Sequence, residues 1–589
     1  MIKKHRIFGL LVLLMLMLLV CDLRLGWIQW RAEQYGGKNL IARSVMQRQQ
    51  RLVLDEGRAH FVDRHGIPLT GKRQQGLAIF PAMIHSPEHV ASFLSPIVRQ
   101  SASSIQQQLE AEQEPFLWPA SPFRRDTLAL TETQIQSLDA AAMPGMEVVS
   151  YTQRYISPYL ASHLIGRMAQ YPERIDKRYT LELEQGRLTR NSQIGVSGLE
   201  LQWNEEMIGV GSHALVHYQD GQQRPLAGLG SRMVGAAHEL YPLRVMLTLD
   251  SALQYKLEQT MDDYMKRHQL EVGAAVLLDV QHGEVRAMVS RPMLDPYAAF
   301  PDKTAMTNYA VKALVPGSIF KTVIAAYALE HGLLHPKEQF ECRGHYGKYG
   351  LMCWKKEGHG KITAQEAFAQ SCNVAFARIA ERIQAEELQA WSEHLGLLTP
   401  YGMLPEEEKG RIFLSPVSSG QIDGGELAQA AIGQRNVRIS PLQAANWIVT
   451  LLNEGKVMKP RAVTSVQFRN ETVKRKIEKV KLADSGLSAK TTRILTRWMT
   501  AVVEQGTGKS LRHADWALAG KSGTAELGTN GEQGSHEWFI GYGPVPRPRY
   551  ALAVVVRDEQ SNLTHHGTAL FGQLFNALAA YDQPDAGRP

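Results

Sequence analysis

Cysteine is scarce in this chain: only four occur among the 589 residues. A disulfide scaffold is therefore excluded, because four cysteines cannot staple a chain of this length. Charge of one sign is not concentrated either, since 65 lysines and arginines stand against 58 acidic residues, a net charge of +7. A nucleic-acid-binding protein would gather its charge in a basic stripe, so we expect no nucleic-acid partner. The sequence also shows no internal repeat and no low-complexity tract.

What is present is typical of a large globular chain. Apolar residues make up 44% and charged residues 21% of the sequence, so wholesale disorder is excluded. The length is about four times that of a common domain, which predicts at least two folded units.

The amino terminus carries an uncharged run from Ile7 to Cys21 behind a basic flank. Such runs occur in signal peptides and at the start of membrane spans. The residues that follow contain no Ala-x-Ala cleavage pattern, and the bulky Val20 argues against lipidation of Cys21. A helix continued to Gly26 reaches roughly the twenty residues needed to cross the hydrocarbon core. We therefore expect an uncleaved, single-pass anchor in the cytoplasmic membrane.

The basic flank sets the predicted orientation, because lysine and arginine beside a span stay on the cytoplasmic side. We expect residues 1–6 to form a cytoplasmic tail and residues 7–26 the anchor, with the rest of the chain outside. Residues 27–241 begin with a juxtamembrane helix, and then mix short β-like runs with polar helices in which no chemistry stands out. Residues 242–583 predict a second, larger domain, followed by a short tail at 584–589.

The larger domain begins and ends with apolar runs typical of strands, and helical periodicity fills its middle. Strands are predicted at 245–250, 273–279, 283–290, 516–524, 537–542 and 550–556. Helices are predicted at 252–267, across much of 318–450, and at 568–581. Strands first and last with helices between them indicate the α+β class, with one antiparallel sheet between helical layers.

A serine and a lysine three residues apart open the helix-rich middle, in Ser318-Ile319-Phe320-Lys321. The preceding Pro316-Gly317 pair predicts a turn, and Ser318 starts a helix that runs to about Glu330. Residues three apart share a helix face, so the Lys321 amine can reach the Ser318 hydroxyl and serve as its base. The helix amino terminus adds positive potential where an oxyanion would form. Alone, however, this pattern is common by chance.

A second short motif, Ser371-Cys372-Asn373, precedes another apolar run. A hydroxyl and an amide two residues apart can relay a proton and hold a substrate carbonyl. The same residue types also favour a helix N-cap, and on its own the motif is better explained by capping.

The third motif, Lys521-Ser522-Gly523-Thr524, lies in an apolar, strand-like run. A lysine and two hydroxyls on a strand can bind a carboxylate, and Gly523 lets a substrate approach the backbone. A phosphate-binding loop is the rival interpretation, because Gly520-Lys521-Ser522 spells part of that motif. The full motif requires a glycine five positions before Gly520, where the sequence has Asp515, so nucleotide binding is not expected.

Taken together and in this order, the three motifs resemble the S-x-x-K, S-D-N and K-T-G set of penicillin-binding proteins and class A β-lactamases. Cys372 replaces the central aspartate and Ser522 the threonine, and both changes spare the side chains that would act. Arg58 with Asp63–Gly66, and Gly195–Glu200, resemble motifs of the class B penicillin-binding proteins, which are monofunctional peptidoglycan D,D-transpeptidases. The chain is thus similar to that family over nearly its whole length.

The resemblance implies a β-lactamase-like transpeptidase domain on an elongated, mixed α/β pedestal that serves dimerisation. In this family Ser318 would attack the penultimate D-Ala of a stem peptide, with Lys321 as the base. The remaining roles are carried over as follows: Ser371 for proton transfer to the leaving amine, Asn373 for substrate orientation, Lys521 for the local field, Ser522, Gly523 and Thr524 for substrate binding, and the backbone N–H groups of Ser318 and Thr524 for the oxyanion hole. No metal or organic cofactor is implied.

The same resemblance implies the partners. These are peptidoglycan stem peptides, β-lactams that mimic their D-Ala-D-Ala end, and a membrane glycosyltransferase of the shape-and-division type. It leaves open whether the pedestal also forms homodimers. A catalytically weak scaffold, a β-lactam sensor, a β-lactamase and a D,D-carboxypeptidase are the rival functions, and groove shape rather than motifs would decide the acceptor.

The three cysteines outside the anchor leave two alternatives open. Cys342 and Cys353 flank a loop-like stretch, where they either form a disulfide or remain free thiols. We expect Cys372 to be a buried, small apolar residue and His359 to be structural or at the surface rather than a ligand.

Overall fold

The computed structural model describes most of the chain, in the ranges 2–34, 48–121, 126–209, 211–220, 226, 230–235, 243–298, 301–413, 423–527, 534–559 and 565–582. Its first element is the helix α1, Ile2–Gln34. Within α1 the segment Ile7–Trp27 is long and apolar enough to cross a membrane, and its side chains are exposed. This helix is compatible with a single-pass membrane anchor, and the bounds 7–26 stay a prediction.

The pedestal, described between residues 48 and 235, combines two ten-residue strands with shorter strands and with helices of 12 residues or fewer. Its strands are β1 (Gln49–Asp55), β2 (His60–Val62), β3 (Thr70–Ile79), β4 (Phe116–Leu117), β5 (Met146–Tyr155), β6 (Met168–Gln170), β7 (Gln193–Gly195), β8 (His213–Tyr218) and β9 (Arg232–Val234). Its helices are α2 (Pro87–Val98), α3 (Ala102–Ala111), α4 (Glu132–Ala141), α5 (Ser162–Ile165), α6 (Pro172–Arg178), α7 (Thr180–Glu184), α8 (Gly198–Gln202) and α9 (Asn204–Met207), with a 3₁₀ turn at Pro81–Met83.

The carboxy-terminal domain, described from residue 243, contains helices of 17 residues, longer than those described in the pedestal. Its strands are β10 (Leu243–Leu247), β11 (Gly273–Asp279), β12 (Val285–Arg291), β13 (Gln339–Cys342), β14 (Gly360–Thr363), β15 (Lys456–Met458), β16 (Val463–Phe468), β17 (Val473–Lys476), β18 (Lys481–Asp484), β19 (Ala519–Glu526), β20 (Ser535–Gly543) and β21 (Tyr550–Asp558). Its helices are α10 (Ser251–Arg267), α11 (Lys303–Met306), α12 (Lys321–Glu330), α13 (Ala364–Ala369), α14 (Asn373–Ala380), α15 (Ala385–His394), α16 (Gly424–Ala431), α17 (Pro441–Leu452), α18 (Ala489–Gln505) and α19 (His566–Asp582), with 3₁₀ turns at Gly317–Phe320 and Lys509–His513.

The centre of this domain is a five-stranded antiparallel sheet with the order β12-β11-β21-β20-β19. Both faces are buried, because alternate residues of β11 enter different cores: Ala274 and Val276 one, Ala275 and Leu277 the other. α10 and α19 pack on one face and α17 on the other. The predicted α+β class with helices on both sides of one antiparallel sheet is confirmed.

The strand predicted at 245–250 does not join that sheet. As β10 it pairs antiparallel with β16 and parallel with the pedestal strand β2, so it ties the two domains together. Asp63, just after β2, strengthens this junction: its Oδ2 accepts hydrogen bonds from the Ser251 hydroxyl at 2.7 Å and from the Ser251 backbone at 3.1 Å. The predicted boundary between residues 241 and 242 lies outside the described residues, as does the tail at 584–589.

A buried carboxylate, Glu200, joins two arginines inside the pedestal. Glu200 has 0% exposure and binds two guanidinium groups: Arg58 Nε donates to its Oε2 at 2.9 Å, and Arg154 Nε to its Oε1 at 2.7 Å. Arg154 also donates to the carbonyl oxygen of Ala59 at 2.6 Å. Removing the charge of Glu200 would leave the guanidinium groups of Arg58 and Arg154 close together with no negative charge between them. Arg58 is buried, so water could not replace the lost ion pair.

We therefore expect Glu200→Gln to lower the free energy of unfolding by about 3–5 kcal/mol, the usual cost of breaking a buried ion pair from one side. Denaturant unfolding of the full chain in detergent micelles measures the change. The matched control is Glu205→Gln, because Glu205 pairs with Arg178 at 2.8 Å on the exposed surface. That change is expected to cost about 0–1 kcal/mol, and equal effects of the two substitutions would contradict the prediction.

Candidate active site

The first motif lies on a tight turn that leads into α12. Sequence reasoning predicted a single helix from Ser318, whereas the structure has a 3₁₀ turn at Gly317–Phe320 and begins the α-helix at Lys321. The predicted end at Glu330 is confirmed. Gly317 has φ +58°, and an ideal Cβ there would lie 2.4 Å from the carbonyl oxygen of Thr524. Only glycine fits, so the turn that carries the half-buried Ser318 lies directly against β19.

The second motif does not cap its helix with a side chain. Cys372 occupies the N-cap position of α14 and Asn373 is the first helical residue, without a side-chain capping bond. Ser371 just before them has φ +54°, a left-handed conformation that is uncommon for a residue other than glycine. The capping interpretation of the isolated motif is therefore wrong. The strained backbone instead directs both polar side chains towards Lys321.

The Lys321 amine connects the first two motifs. Lys321 has 0% exposure, and its Nζ donates to the Ser371 carbonyl oxygen at 2.8 Å, to Asn373 Oδ1 at 2.8 Å and to Ser371 Oγ at 3.3 Å. All three acceptors are neutral oxygens. Ser318 Oγ is not among them, so the direct contact that the spacing predicted is not made as a hydrogen bond. Burial lowers the pKa of Lys321 from 10.5 to about 8, so that about a tenth of the amine is neutral at pH 7.

The third motif forms the edge strand of the central sheet. On β19, Lys521 is fully buried and its Nζ donates to the carbonyl oxygen of Ser522 at 2.9 Å. Burial lowers the pKa of Lys521 well below its usual value, and the charge of Lys321 lowers it further. Ser522 Oγ lies 2.6 Å from Thr507 Oγ1, so two hydroxyls are held together beside the strand. Thr524 is half-buried.

Gly523 has a different structural reason from the one predicted. An ideal Cβ at this position would lie 2.7 Å from the Pro316 carbonyl oxygen and 2.9 Å from the Ile319 backbone nitrogen. The glycine therefore lets the turn carrying Ser318 approach β19, which places the first and third motifs side by side. Substrate access at Gly523 stays a prediction.

Several residues at the site were not identified as functional from the sequence. Gln434 donates from Nε2 to the Thr524 carbonyl oxygen at 3.1 Å, and the carbonyl oxygen of Gly433 accepts a bond from the Gly317 backbone at 2.9 Å. Asn373 Nδ2 donates to the carbonyl oxygen of Met352 at 3.0 Å. The glycine after α16 was the one available signal, since glycine is common just past a helix end. Its contact with a segment more than a hundred residues away could not be predicted.

The three cysteines of this domain lie beside the second motif and are free thiols. The disulfide alternative for Cys342 and Cys353 is therefore not the one found here. Cys372 is fully buried, as predicted. His359, expected to be structural or at the surface, is half-buried with its Nδ1 3.5 Å from the Sγ of Cys353.

Comparison with known proteins agrees with this geometry. Residues 273–580 match the family model described as "Penicillin binding protein transpeptidase domain", more than half of the chain. This chain belongs to that family. Residues 55–226 match the model described as "Penicillin-binding Protein dimerisation domain". The family resemblance drawn from the three motifs is confirmed, and the penicillin-binding transpeptidase domain contains all of them.

Several named bacterial proteins are similar to this chain. "Stage V sporulation protein D" of Bacillus subtilis is 24% identical over 96% of this chain and 83% of its own length. "Peptidoglycan D,D-transpeptidase MrdA" of Acinetobacter baumannii is 25% identical over 75% of this chain and 68% of its own. "Peptidoglycan D,D-transpeptidase PbpA" of Mycolicibacterium smegmatis is 31% identical over 52% of this chain and 66% of its own.

The pKa of Lys321 predicts how acylation by benzylpenicillin depends on pH. The role predicted for Lys321 as the base of Ser318 requires its neutral amine, whose fraction grows as the pH rises through about 8. The second-order rate constant should therefore rise about tenfold per pH unit well below that value and level off above it. Stopped-flow acylation of the full chain in micelles, at pH values below and above about 8, measures the profile.

The matched variants for this test are Lys321→Met and Lys303→Met. Loss of the buried amine should slow acylation by about 10²–10⁴-fold, the usual contribution of a positioned base. Lys303 is exposed on α11, so its substitution should leave both rate and profile unchanged. A flat profile in the unmodified protein, or normal acylation by Lys321→Met, would show that another group is the base.

Proposed function

We propose that this protein is a peptidoglycan D,D-transpeptidase that cross-links stem peptides through an acyl-enzyme on Ser318. The observation that supports this most directly is the buried Lys321 amine, bound by Ser371 and Asn373 one helical turn from Ser318. The edge strand with Lys521 lies against the same turn, so a nucleophile, a base and an anion-binding edge meet in one place. The names of the MrdA and PbpA relatives support the same activity.

In the first half-reaction Ser318 Oγ attacks the carbonyl carbon of the penultimate D-Ala, and Lys321 takes the hydroxyl proton. The peptide bond to the terminal D-Ala then breaks, and Ser371 passes a proton to the departing amine. Its position supports this role, since Ser371 Oγ lies 3.3 Å from Lys321 Nζ. In the second half-reaction the amine of a neighbouring stem peptide attacks the ester carbonyl and gives up a proton to the Lys321 amine. The amide cross-link forms, the ester bond breaks, and the proton returns to Ser318 Oγ.

The remaining groups bind and orient the substrate. Ser522 and Thr524 bind the terminal carboxylate beside Gly523, and the adjoining Thr507 hydroxyl holds that of Ser522 in place. Lys521 supplies positive potential to this edge. Asn373 orients the substrate amide while its own side chain is fixed by Lys321 and Met352. The backbone N–H groups of Ser318 and Thr524, on the two segments that Gly317 brings together, form the oxyanion hole.

We infer that the anchor holds this chemistry outside the cytoplasmic membrane. α1 carries one apolar segment, and the basic residues before it favour a cytoplasmic amino terminus. The pedestal follows the anchor and precedes the catalytic domain along the chain, and it is paired with that domain through β2 and β10. We therefore place the contact with a membrane glycosyltransferase of the shape-and-division type on the anchor and the pedestal, and the pedestal is also where a homodimer would form.

Intact mass after brief benzylpenicillin treatment tests the nucleophile. The full chain should gain one stable adduct, and Ser318→Ala should gain none, because the acyl bond forms at that hydroxyl. Ser510→Ala is the matched control, since Ser510 is an exposed serine on another turn of the same domain, and it should behave as the unmodified protein. An adduct on Ser318→Ala would contradict the assignment, and drug consumed without a lasting adduct would indicate a β-lactamase.

The acceptor is tested with a stem-pentapeptide donor in the presence and absence of an amine acceptor. A transpeptidase should form more cross-linked product as the amine concentration rises and release one D-Ala per cross-link, because D-Ala leaves only when the acyl-enzyme forms. Release of D-Ala with hydrolysed donor alone would indicate a D,D-carboxypeptidase. A folded protein that binds the donor without turnover would indicate a scaffold.

Protease protection in spheroplasts tests the orientation. Added protease should remove the domains beyond residue 27 from intact spheroplasts, while an epitope placed before Ile7 survives until the membrane is permeabilised. Digestion of that epitope in intact spheroplasts would reverse the proposed orientation.

A further inference from the structure

Four side chains to which the proposed reaction gives no role lie close together at the second motif. They are Cys342 at the end of β13, Cys353 and His359 in the loop before β14, and Cys372 before α14. The three sulfur atoms and a ring nitrogen of His359 all lie within 4.8 Å of one another. The three cysteines have 1%, 4% and 0% exposure, so the cluster is closed to solvent on the thiol side.

Three thiols and one imidazole fit a soft metal ion with tetrahedral coordination better than they fit a disulfide between two of the cysteines. One disulfide would leave the third thiol and the imidazole without a partner, whereas a tetrahedral ion uses all four. Zinc binds thiolate at about 2.3 Å and imidazole at about 2.0 Å, so its ligand atoms lie about 3.8 Å or less apart. The observed cluster needs to contract by about 1 Å to reach that geometry. Calcium and magnesium prefer oxygen ligands and do not fit.

The contacts of His359 support a ligand role. Its Nδ1 faces the Sγ of Cys353 at 3.5 Å, while Nε2 is buried with no hydrogen-bond partner among the described residues. The ring is held in place by an edge contact with Trp354, the two centroids being 5.4 Å apart. The imidazole is thus a buried polar side chain whose described polar contact is with the thiol cluster.

We propose that Cys342, Cys353, His359 and Cys372 bind one Zn²⁺ ion in a closed structural site. The ion ties the loop 343–359 to the second catalytic motif, because Cys372 stands between Ser371 and Asn373. Two hydrogen bonds already join the same parts: Asn373 Nδ2 to the Met352 carbonyl oxygen, and Trp354 Nε1 to the Gln370 carbonyl oxygen, both at 3.0 Å. The ion therefore acts as a positioning element and takes no part in bond making.

The loop is built compactly enough to present its ligands. Two parts of its backbone lie side by side, since the Cys353 nitrogen donates to the Gly344 carbonyl oxygen at 2.8 Å. An ideal Cβ on Gly344 would lie 1.9 Å from the Lys356 carbonyl oxygen, and one on Gly358 2.2 Å from that of Cys342. Both glycines have positive φ. The close backbone packing that brings Cys342 and Cys353 together therefore requires glycine at these two positions.

Metal analysis of the full chain in detergent micelles, purified from cells with reductant and without chelator, tests the proposal. We expect one zinc per chain, retained through gel filtration, and about background zinc in Cys342→Ser, because a lost thiolate opens the site. Cys21→Ser is the matched control: Cys21 is an exposed thiol in α1, far from the cluster in sequence, and should leave the zinc content unchanged.

Cobalt substitution gives a readout that depends neither on a variant folding nor on transpeptidase activity. After zinc removal and addition of Co²⁺, the unmodified chain should show the thiolate-to-cobalt charge-transfer band and the intense d–d bands of a tetrahedral site. Zinc absent from the unmodified protein together with no such bands would overturn the proposal. So would alkylation under denaturing conditions without reductant that finds two of the three thiols in a disulfide.

Discussion

The catalytic domain depends on the hydrogen bonds made by the buried amine of Lys321. An amine removed from water must find its partners inside the protein, or its burial costs several kilocalories per mole. Here the partners are the carbonyl and hydroxyl of Ser371 and the side chain of Asn373, from a segment about fifty residues away. They reach the amine only because Ser371 adopts a left-handed backbone just before α14. The strain at one residue is thus offset by the hydrogen bonds that it makes possible.

A second constraint acts on the backbone. Gly317 and Gly523 remove the two side chains that would separate the turn bearing Ser318 from β19. Because β19 is paired along its length with β20, the turn is positioned by the whole central sheet and not by a mobile loop. A displacement of about 1 Å between reacting groups can slow catalysis about 10²-fold, so the chemistry of the motifs depends on this support. The opposite face, where α10 and α19 pack, supports the sheet from behind.

Sequence patterns predicted the parts of this molecule that local rules determine. Apolar runs and helical periodicity located β11, β20, β21, α10 and α19 to within about three residues. They missed what distant contacts determine: the pairing of β10 with the pedestal, the left-handed Ser371, the bond from Gln434 to Thr524, and the meeting of Cys342, Cys353, His359 and Cys372. The capping interpretation of Ser371 failed for the same reason, since a short polar residue before a helix caps by default unless a buried partner competes for it.

The number of hydrogen bonds at Lys321 indicates what must change when catalysis begins. An ammonium has three N–H donors, and the three acceptors around Nζ use all of them. A neutral amine has only two N–H groups and one lone pair, so after deprotonation it can no longer donate to all three oxygens. The 3.3 Å contact with Ser371 Oγ is the longest of the three and has a hydroxyl partner that can turn. Its release would free the lone pair for the Ser318 proton and leave Ser371 as a donor in the same network. In the proposed reaction, the residue that relays the proton is therefore the one whose hydrogen bond from the ammonium is given up first.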